Sequence, residues 1–154
     1  MQIIAREGKI ERVTLSALHH TRHGVRPDLA WVEGIREVYS ADRTKSQLQH
    51  TCPKWAFSIL CHRGLVAGVA AASCPAAEGK RSADFVLSAR EMLLSDQTLA
   101  NRKQDLKRRV FGLQGNPDYR SPNHEIEVLL LLIGVGALQI QSAGKARNGE
   151  ITFA

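Results

Sequence analysis

Cysteines are scarce in this chain and odd in number, with Cys52, Cys61 and Cys74 as the only three. An odd number leaves at least one thiol unpaired, and the intervals between them match no zinc-binding pattern. The N-terminus reaches Arg6 and Glu7 after only a few apolar residues, so it does not resemble a secretory signal peptide. We therefore expect a reducing, cytoplasmic setting in which the cysteines are small buried hydrophobic residues.

The chain also lacks an apolar run long enough to cross a membrane. The longest, Ile126 to Ile140, has about 15 residues and contains Glu127, whereas a transmembrane helix needs ~20. A helix that is apolar on every side must nevertheless be buried by its own domain or by a partner. We expect a buried helix over 126–140 and no membrane as a partner.

Signature motifs of enzymes are missing as well. The sequence contains no His-Glu-x-x-His, no Gly-x-Ser-x-Gly and no complete phosphate loop, and the segment from Gly64 to Gly68 lacks the Gly-Lys-Ser/Thr ending. His19 and His23 stand one helical turn apart but have no recognisable third metal ligand. Cys61 and His62 are neighbours on an expected strand and would point to opposite faces. We predict no catalytic residues, no bound metal and no cofactor.

What the chain does have is positive charge. It has 154 residues, 44% of them hydrophobic, with a formal net charge of +6 and a pI near 9.6. This length and composition predict a single globular domain over 1–144, followed by a loose C-terminal tail over 145–154. The basic balance favours an anionic partner, nucleic acid before any other.

The pattern of apolar residues predicts an α/β fold, with a small mixed sheet, helices packed on it and a closing apolar C-terminal helix. Aromatic and β-branched residues favour strands, and a strand–helix–strand order within 55–88 is typical of a compact α/β unit. The predicted strands are 2–5, 9–13, 55–61 and 83–88. The predicted helices are 14–23 closed by Gly24, 29–47, 64–72, 98–111 and 126–140.

The segment 102–109 is the strongest candidate site, because it carries five cations against one carboxylate. On a helix, Leu106 and Val110 would anchor it inward while the cations face phosphates. The predicted RNA-binding residues are Arg102, Lys103, Lys107, Arg108 and Arg109. The alternative is a solvated face that has no ligand.

The apolar helix offers a second candidate surface. Leu130, Leu132 and Val135 could dock against a partner protein. The alternative is that this helix is simply central in the fold. The sequence leaves both interpretations open, together with the oligomeric state.

Four segments resemble the small tRNA-binding accessory subunit of the KEOPS complex, the family of the human PRPK-binding protein. The likeness is carried by 28–34 leading into a helix, by the order of 57–61, 64–72 and 85–88, by the basic-apolar segment 106–113, and by the closing helix 125–138. The resemblance implies an α/β domain without catalytic residues that binds the 3′ end of tRNA and a small atypical kinase, within a complex that adds threonylcarbamoyl to an adenosine.

Two other interpretations stay open. A small viral or mobile-element protein that binds DNA or a host protein would have equal use for basic charge and an apolar helix. A cysteine- or metal-dependent enzyme would depend on Cys61 or His19.

Overall fold

The computed structural model describes residues 8–39, 51–114 and 124–140, and every regular element in these ranges is a helix. The α-helices are α1 (Lys9–Arg22), α2 (Pro27–Tyr39), α3 (Thr51–His62), α4 (Arg81–Ser95), α5 (Lys103–Gln114) and α6 (Glu125–Gly134), with short 3-10 helices at Pro75–Ala77 and Gln97–Asn101. The predicted α/β fold is therefore wrong, because these three ranges contain no strand and no sheet.

Helix α1 includes the predicted strand 9–13. Its buried side chains include Ile10, Val13, Ala17 and Leu18, a spacing of three, four and one that places them on one helical face. The helix ends where the sequence predicted, because Gly24 adopts a φ of +99° and the Val25 N–H bonds back to the carbonyl of His20.

Helix α4 includes the predicted strand 83–88. Phe85, Val86, Ala89 and Leu93 are completely buried, and these positions repeat with the helical period of three to four residues. The segment 83–88 alone is too short to reveal that period. The buried positions in the following turns, Ala89 and Leu93, extend the pattern far enough to distinguish a helix from a strand.

Helix α3 includes the predicted strand 55–61, which is almost continuously apolar. A run of this kind fits a strand buried on both faces or a helix buried on several sides, and periodicity does not separate the two. Here α3 packs against α2, α4 and α6, and the five residues from Ala56 to Leu60 are all fully buried. The predicted helix 64–72 is instead a loop, with left-handed backbone at Gly64, Gly68 and Ala72.

Helix α6 lies among α1, α3 and α4. The prediction of a buried apolar helix is confirmed, although α6 ends at Gly134 rather than at Ile140. Beyond it, Ala137 accepts a hydrogen bond from the Ala67 N–H, and the Ile140 carbonyl accepts one from the side chain of Gln97. None of the described helices combines the length and apolar character that spanning a bilayer requires.

The contact between α1 and α2 depends on a glycine. A Cβ atom at Gly34 would lie 2.8 Å from the carbonyl oxygen of Val13, so a larger residue would push the two helices apart. This close packing holds Trp31 and Ile35 in the core, where both are fully buried.

Several predicted segments lie outside the described residues. They are the strand at 2–5, the second half of the helix at 29–47, most of the loop at 112–122, and the tail at 145–154.

Candidate functional site

The basic segment begins at a capped turn. The Asp96 carboxylate accepts hydrogen bonds from the backbone N–H and the hydroxyl of Thr98, which starts the 3-10 helix Gln97–Asn101. Helix α5 follows directly, and Leu106 and Val110 are completely buried on its inner side, as predicted. The remaining positions from 102 to 109 are therefore exposed or half-buried.

Two arginines of the segment share one carboxylate. The Arg102 Nη1 donates to Asp105 Oδ2 over 3.1 Å, and Arg108 donates to the other oxygen of Asp105 from three residues further along. Arg102 also lies 3.3 Å from Asp96. The Arg108 side chain is 69% exposed, and exposed ion pairs contribute only about 0–1 kcal/mol. A phosphate could therefore replace Asp105 as a partner at little cost.

The two lysines have a different role, because both bind Glu127 of α6. The Lys103 and Lys107 Nζ atoms lie 3.1 Å and 3.4 Å from Glu127 Oε2. The side chains of Lys107 and Glu127 are each only 15% exposed. Burial favours the protonated acid, but the hydrogen bond from Lys103 and the charge of Lys107 outweigh it and lower the pKa of Glu127. The lysines thus hold α5 against α6.

Of the five cations in the segment 102–109, Arg109 has the fewest ion-pair contacts with neighbouring residues. Among the described residues no carboxylate lies within salt-bridge distance of its guanidinium, although its charge reaches Asp96. The pKa of Asp96 is lowered first by the hydroxyl of Thr98, then by its backbone N–H and the charges of Arg102 and Arg109.

The structure therefore brings together all five predicted RNA-binding residues, but it does not make them equivalent. Five cations and the three carboxylates Asp96, Asp105 and Glu127 leave an excess of two positive charges. We call Arg102, Arg108 and Arg109 the arginine face. Lys107 is largely buried and Lys103 is exposed, and both are paired with Glu127 of α6.

The predicted partner-binding residues are also divided by the structure. Leu132 is fully buried in the core of the single chain, whereas Leu130 and Val135 are only partly buried against it. Leu132 is therefore unable to meet a partner unless the fold opens. Of the two interpretations of this helix, the one that applies to Leu132 is burial in the centre of the fold.

Two of the three histidines near the end of α1 are hydrogen-bonded to other groups of the protein. The His20 Nε2 lies 2.6 Å from Glu37 Oε2, and His23 Nδ1 bonds to the carbonyl of His19. Across the three described ranges, metal-ligating side chains do not gather in groups of three or more.

Cys61 and His62 lie at the end of α3 rather than on a strand. Cys61 is fully buried, and burial raises the pKa of its thiol, which favours the unreactive protonated form. The His62 ring accepts a hydrogen bond from the Cys74 N–H through Nδ1, and its Nε2 lies 3.5 Å from Glu78.

The sequence missed one surface feature, at Trp55. Its side chain, at the start of the segment 55–61 predicted as a strand, is only partly buried, and the ammonium groups of Lys54 and Lys80 lie 4.7 Å and 4.8 Å from its ring centre. Cations at this distance are attracted to the electron-rich face of the ring. The adjacent Lys54 could have indicated a cation beside Trp55 from the sequence alone. Lys80, at the N-terminus of α4, reaches the ring only because the chain folds.

Comparison with known proteins yields one family. The model of a family of unknown function, DUF6979, matches residues 8–139. Neither the curated proteins nor the solved structures include a significant match to this chain.

Proposed function

Because the chain belongs to DUF6979, a family of unknown function, we propose its role from the site itself: a non-enzymatic, cytoplasmic RNA-binding protein that holds phosphate groups on the arginine face. The observation that carries the proposal is the cluster of exposed guanidinium groups at Arg102, Arg108 and Arg109, within two helical turns and with an excess of positive charge. Guanidinium groups bind phosphate oxygens in a bidentate manner.

The internal ion pairs of the arginine face support this proposal. Asp105 lies between Arg102 and Arg108 and keeps their side chains in place in the free protein. Since both pairs are exposed to water, releasing Asp105 costs little. Binding of a phosphodiester backbone would then release counterions, and this release is the main source of affinity in non-specific nucleic-acid binding.

The narrower form of the proposal is the one that the sequence resemblance implies, namely binding of the tRNA 3′ end and of a small atypical kinase. Its support is the likeness of 28–34, 106–113 and 125–138. The strand–helix–strand part of the likeness has no counterpart in the described residues, because 57–61 and 85–88 lie in α3 and α4. RNA binding is thus the broader proposal and the kinase partner the more specific one.

Binding should be measured by fluorescence anisotropy across a salt series, with a labelled single-stranded RNA, a duplex DNA, intact tRNA, and tRNA that lacks its 3′ terminal nucleotides. We expect affinity to fall steeply as salt rises. Arg109→Glu should weaken binding about tenfold, which corresponds to about 1.4 kcal/mol, and should reduce the slope of the salt dependence by about one or two.

Arg12→Glu is the matched control. Arg12 is also an exposed helical arginine without a salt bridge among the described residues, but it lies on α1. The same charge change there should leave affinity nearly unchanged. Equal losses in the two variants would mean that only overall charge matters, and the arginine face would be rejected. Stronger binding of duplex DNA than of RNA would support the DNA-binding rival, and insensitivity to the tRNA truncation would reject the narrower proposal.

A further inference from the structure

A second surface feature lies away from the arginine face, at Trp55 and the two lysines beside it. We call Trp55, Lys54 and Lys80 the Trp55 cluster. The two ammonium groups lie 4.7 Å and 4.8 Å from the centre of the Trp55 ring. Trp55 is only partly buried, whereas Trp31, the second of the two tryptophans, is fully buried. A ligand in solution can therefore reach Trp55 but not Trp31.

The two lysines of the cluster carry positive charge that no neighbouring carboxylate neutralises. Within the described ranges, no carboxylate lies within salt-bridge distance of either ammonium group. Glu78, two residues before Lys80, is held by Arg63, whose Nε and Nη2 donate to its two oxygens over 2.7 Å and 2.9 Å. Arg81 and Asp84, in the first turn of α4, offset each other in charge. Two ammonium groups at one ring repel each other, so an anion beside them would be stabilising.

The Trp55 ring can exchange a lysine for a stacked base. An ammonium group over an exposed aromatic ring contributes about two- to fivefold to an equilibrium constant, whereas a nucleobase stacked on such a ring contributes about five- to 150-fold. Because stacking is the stronger contact, a base can displace an ammonium group from the face of the ring. The displaced group stays beside the ring on its flexible stem, where it can pair with a phosphate next to that base.

We propose that the Trp55 cluster is a second RNA contact, at which an unpaired base stacks on Trp55 and its flanking phosphates pair with Lys54 and Lys80. This inference rests on the RNA-binding function proposed above and adds which part of the RNA is recognised. In a duplex the bases are stacked on one another, so only a single-stranded segment can offer a base to the ring.

The Trp55 cluster and the arginine face lie at opposite ends of α4. Lys80 precedes the first residue of this helix, and Asp96, which Arg102 contacts, follows its last residue. The 15 residues of α4 span about 22 Å. A strand of several nucleotides can therefore contact both sites, whereas a substitution at one site leaves the contacts at the other unchanged.

The first test measures the tryptophan emission of the full chain during titration to saturation with unlabelled single-stranded RNA, duplex RNA, and an abasic oligomer of the same backbone and length. Single-stranded RNA should quench about half of the emission, because a base stacks on Trp55 while Trp31 stays buried. The duplex and the abasic oligomer should leave the emission nearly unchanged. Equal quenching by either of them, or bound single-stranded RNA without quenching, would overturn the proposal.

The second test compares variants by fluorescence anisotropy. Trp55→Leu should weaken binding of single-stranded RNA at least about fivefold and leave binding of the abasic oligomer unchanged. Trp55→Phe keeps an aromatic face and should retain most of the affinity. Leu29→Ala is the matched control, because it removes an exposed apolar side chain on α2, and it should bind RNA normally. If Trp55→Leu weakens binding of the abasic oligomer as much as that of RNA, Trp55 acts without a base and the proposal is rejected.

Together the two tests separate this site from the arginine face. Arg109→Glu should weaken RNA binding but leave the quenching at saturation unchanged. RNA binding that depends on Arg109 but not on Trp55 would overturn the Trp55 contact and keep the arginine face. Quenching and a loss in Trp55→Leu, without any loss in Arg109→Glu, would do the reverse. The quenching comparison needs no substitution, so it decides the question even if the Trp55 variants fail to fold.

Discussion

Helices α5 and α6 are linked through side-chain ion pairs and differ in almost every respect. Helix α6 is apolar on nearly all sides and is enclosed by α1, α3 and α4. Helix α5 buries a narrow stripe that includes Leu106 and Val110 and presents charge elsewhere. The two are joined by the pairing of Lys103 and Lys107 with Glu127. One helix therefore lies in the core, while the other presents most of its charged groups to solvent.

The comparison shows that position on a helix matters more than residue type. Lys107 and Arg108 are adjacent cations, yet Lys107 is 15% exposed against α6 and Arg108 is 69% exposed to solvent. A step of one residue turns the side chain by about 100° around the axis, following from 3.6 residues per turn. The sequence alone assigned both residues to RNA, and the structure separates them.

The largest effect should come from the core of α6. Leu132→Ala should destabilise the protein by about 2–5 kcal/mol, because it removes a fully buried side chain and leaves a cavity. Leu130→Ala, on the same helix but only partly buried, should cost clearly less. Urea unfolding of the two variants measures the difference. Equal losses would show that α6 does not distinguish these two sides.

An intermediate effect is expected at the link between the helices. Glu127→Gln should cost about 1–2 kcal/mol at pH 7, because the carboxylate accepts from one lysine and attracts a second in a partly buried setting. The measurement is the free energy of unfolding of both proteins between pH 7 and pH 3.

The direction of the pH dependence follows from the lowered pKa of Glu127 in the folded protein. Such a group stabilises the fold fully above its unfolded pKa of ~4.3. The stabilisation is lost as pH falls through the lower, folded value. The difference between the native protein and Glu127→Gln should therefore be constant near neutrality and shrink in acid. A difference that grows in acid would contradict the ion-pair account.

The smallest effect should be at Arg108. Arg108→Ala should change stability by less than about 0.5 kcal/mol, because its pair with Asp105 is exposed. Lys107→Ala should cost about 1 kcal/mol through the lost contact with Glu127 and the lost packing of its methylene groups. Thermal unfolding of both variants tests this ranking, and the reverse order would show that Lys107 belongs to the solvent-exposed surface.

The basic helix could be predicted because its information is local. Leu106 and Val110 are four residues apart with cations around them, and that spacing is sufficient to predict an inner and an outer face. The surroundings of Arg90 could not be predicted in the same way. Arg90 lines a surface hollow together with segments near positions 65 and 138. Nothing in the sequence around Arg90 indicates that its Nε would be buried without an acceptor among the described residues.

The sequence by itself determined the end of α1 at Gly24 and the helical basic segment, because both depend on contacts between residues close in the chain. It also determined the burial of the apolar segment after Ile126, because a helix that is apolar on every side must be covered, whichever elements cover it. Only the tertiary structure decided that 55–61 is a helix, since an apolar run can be buried equally well in either conformation. It also decided which cations face solvent. Glu127 lies 24 residues from Lys103, and packing alone brings that carboxylate to the lysines rather than to the arginines.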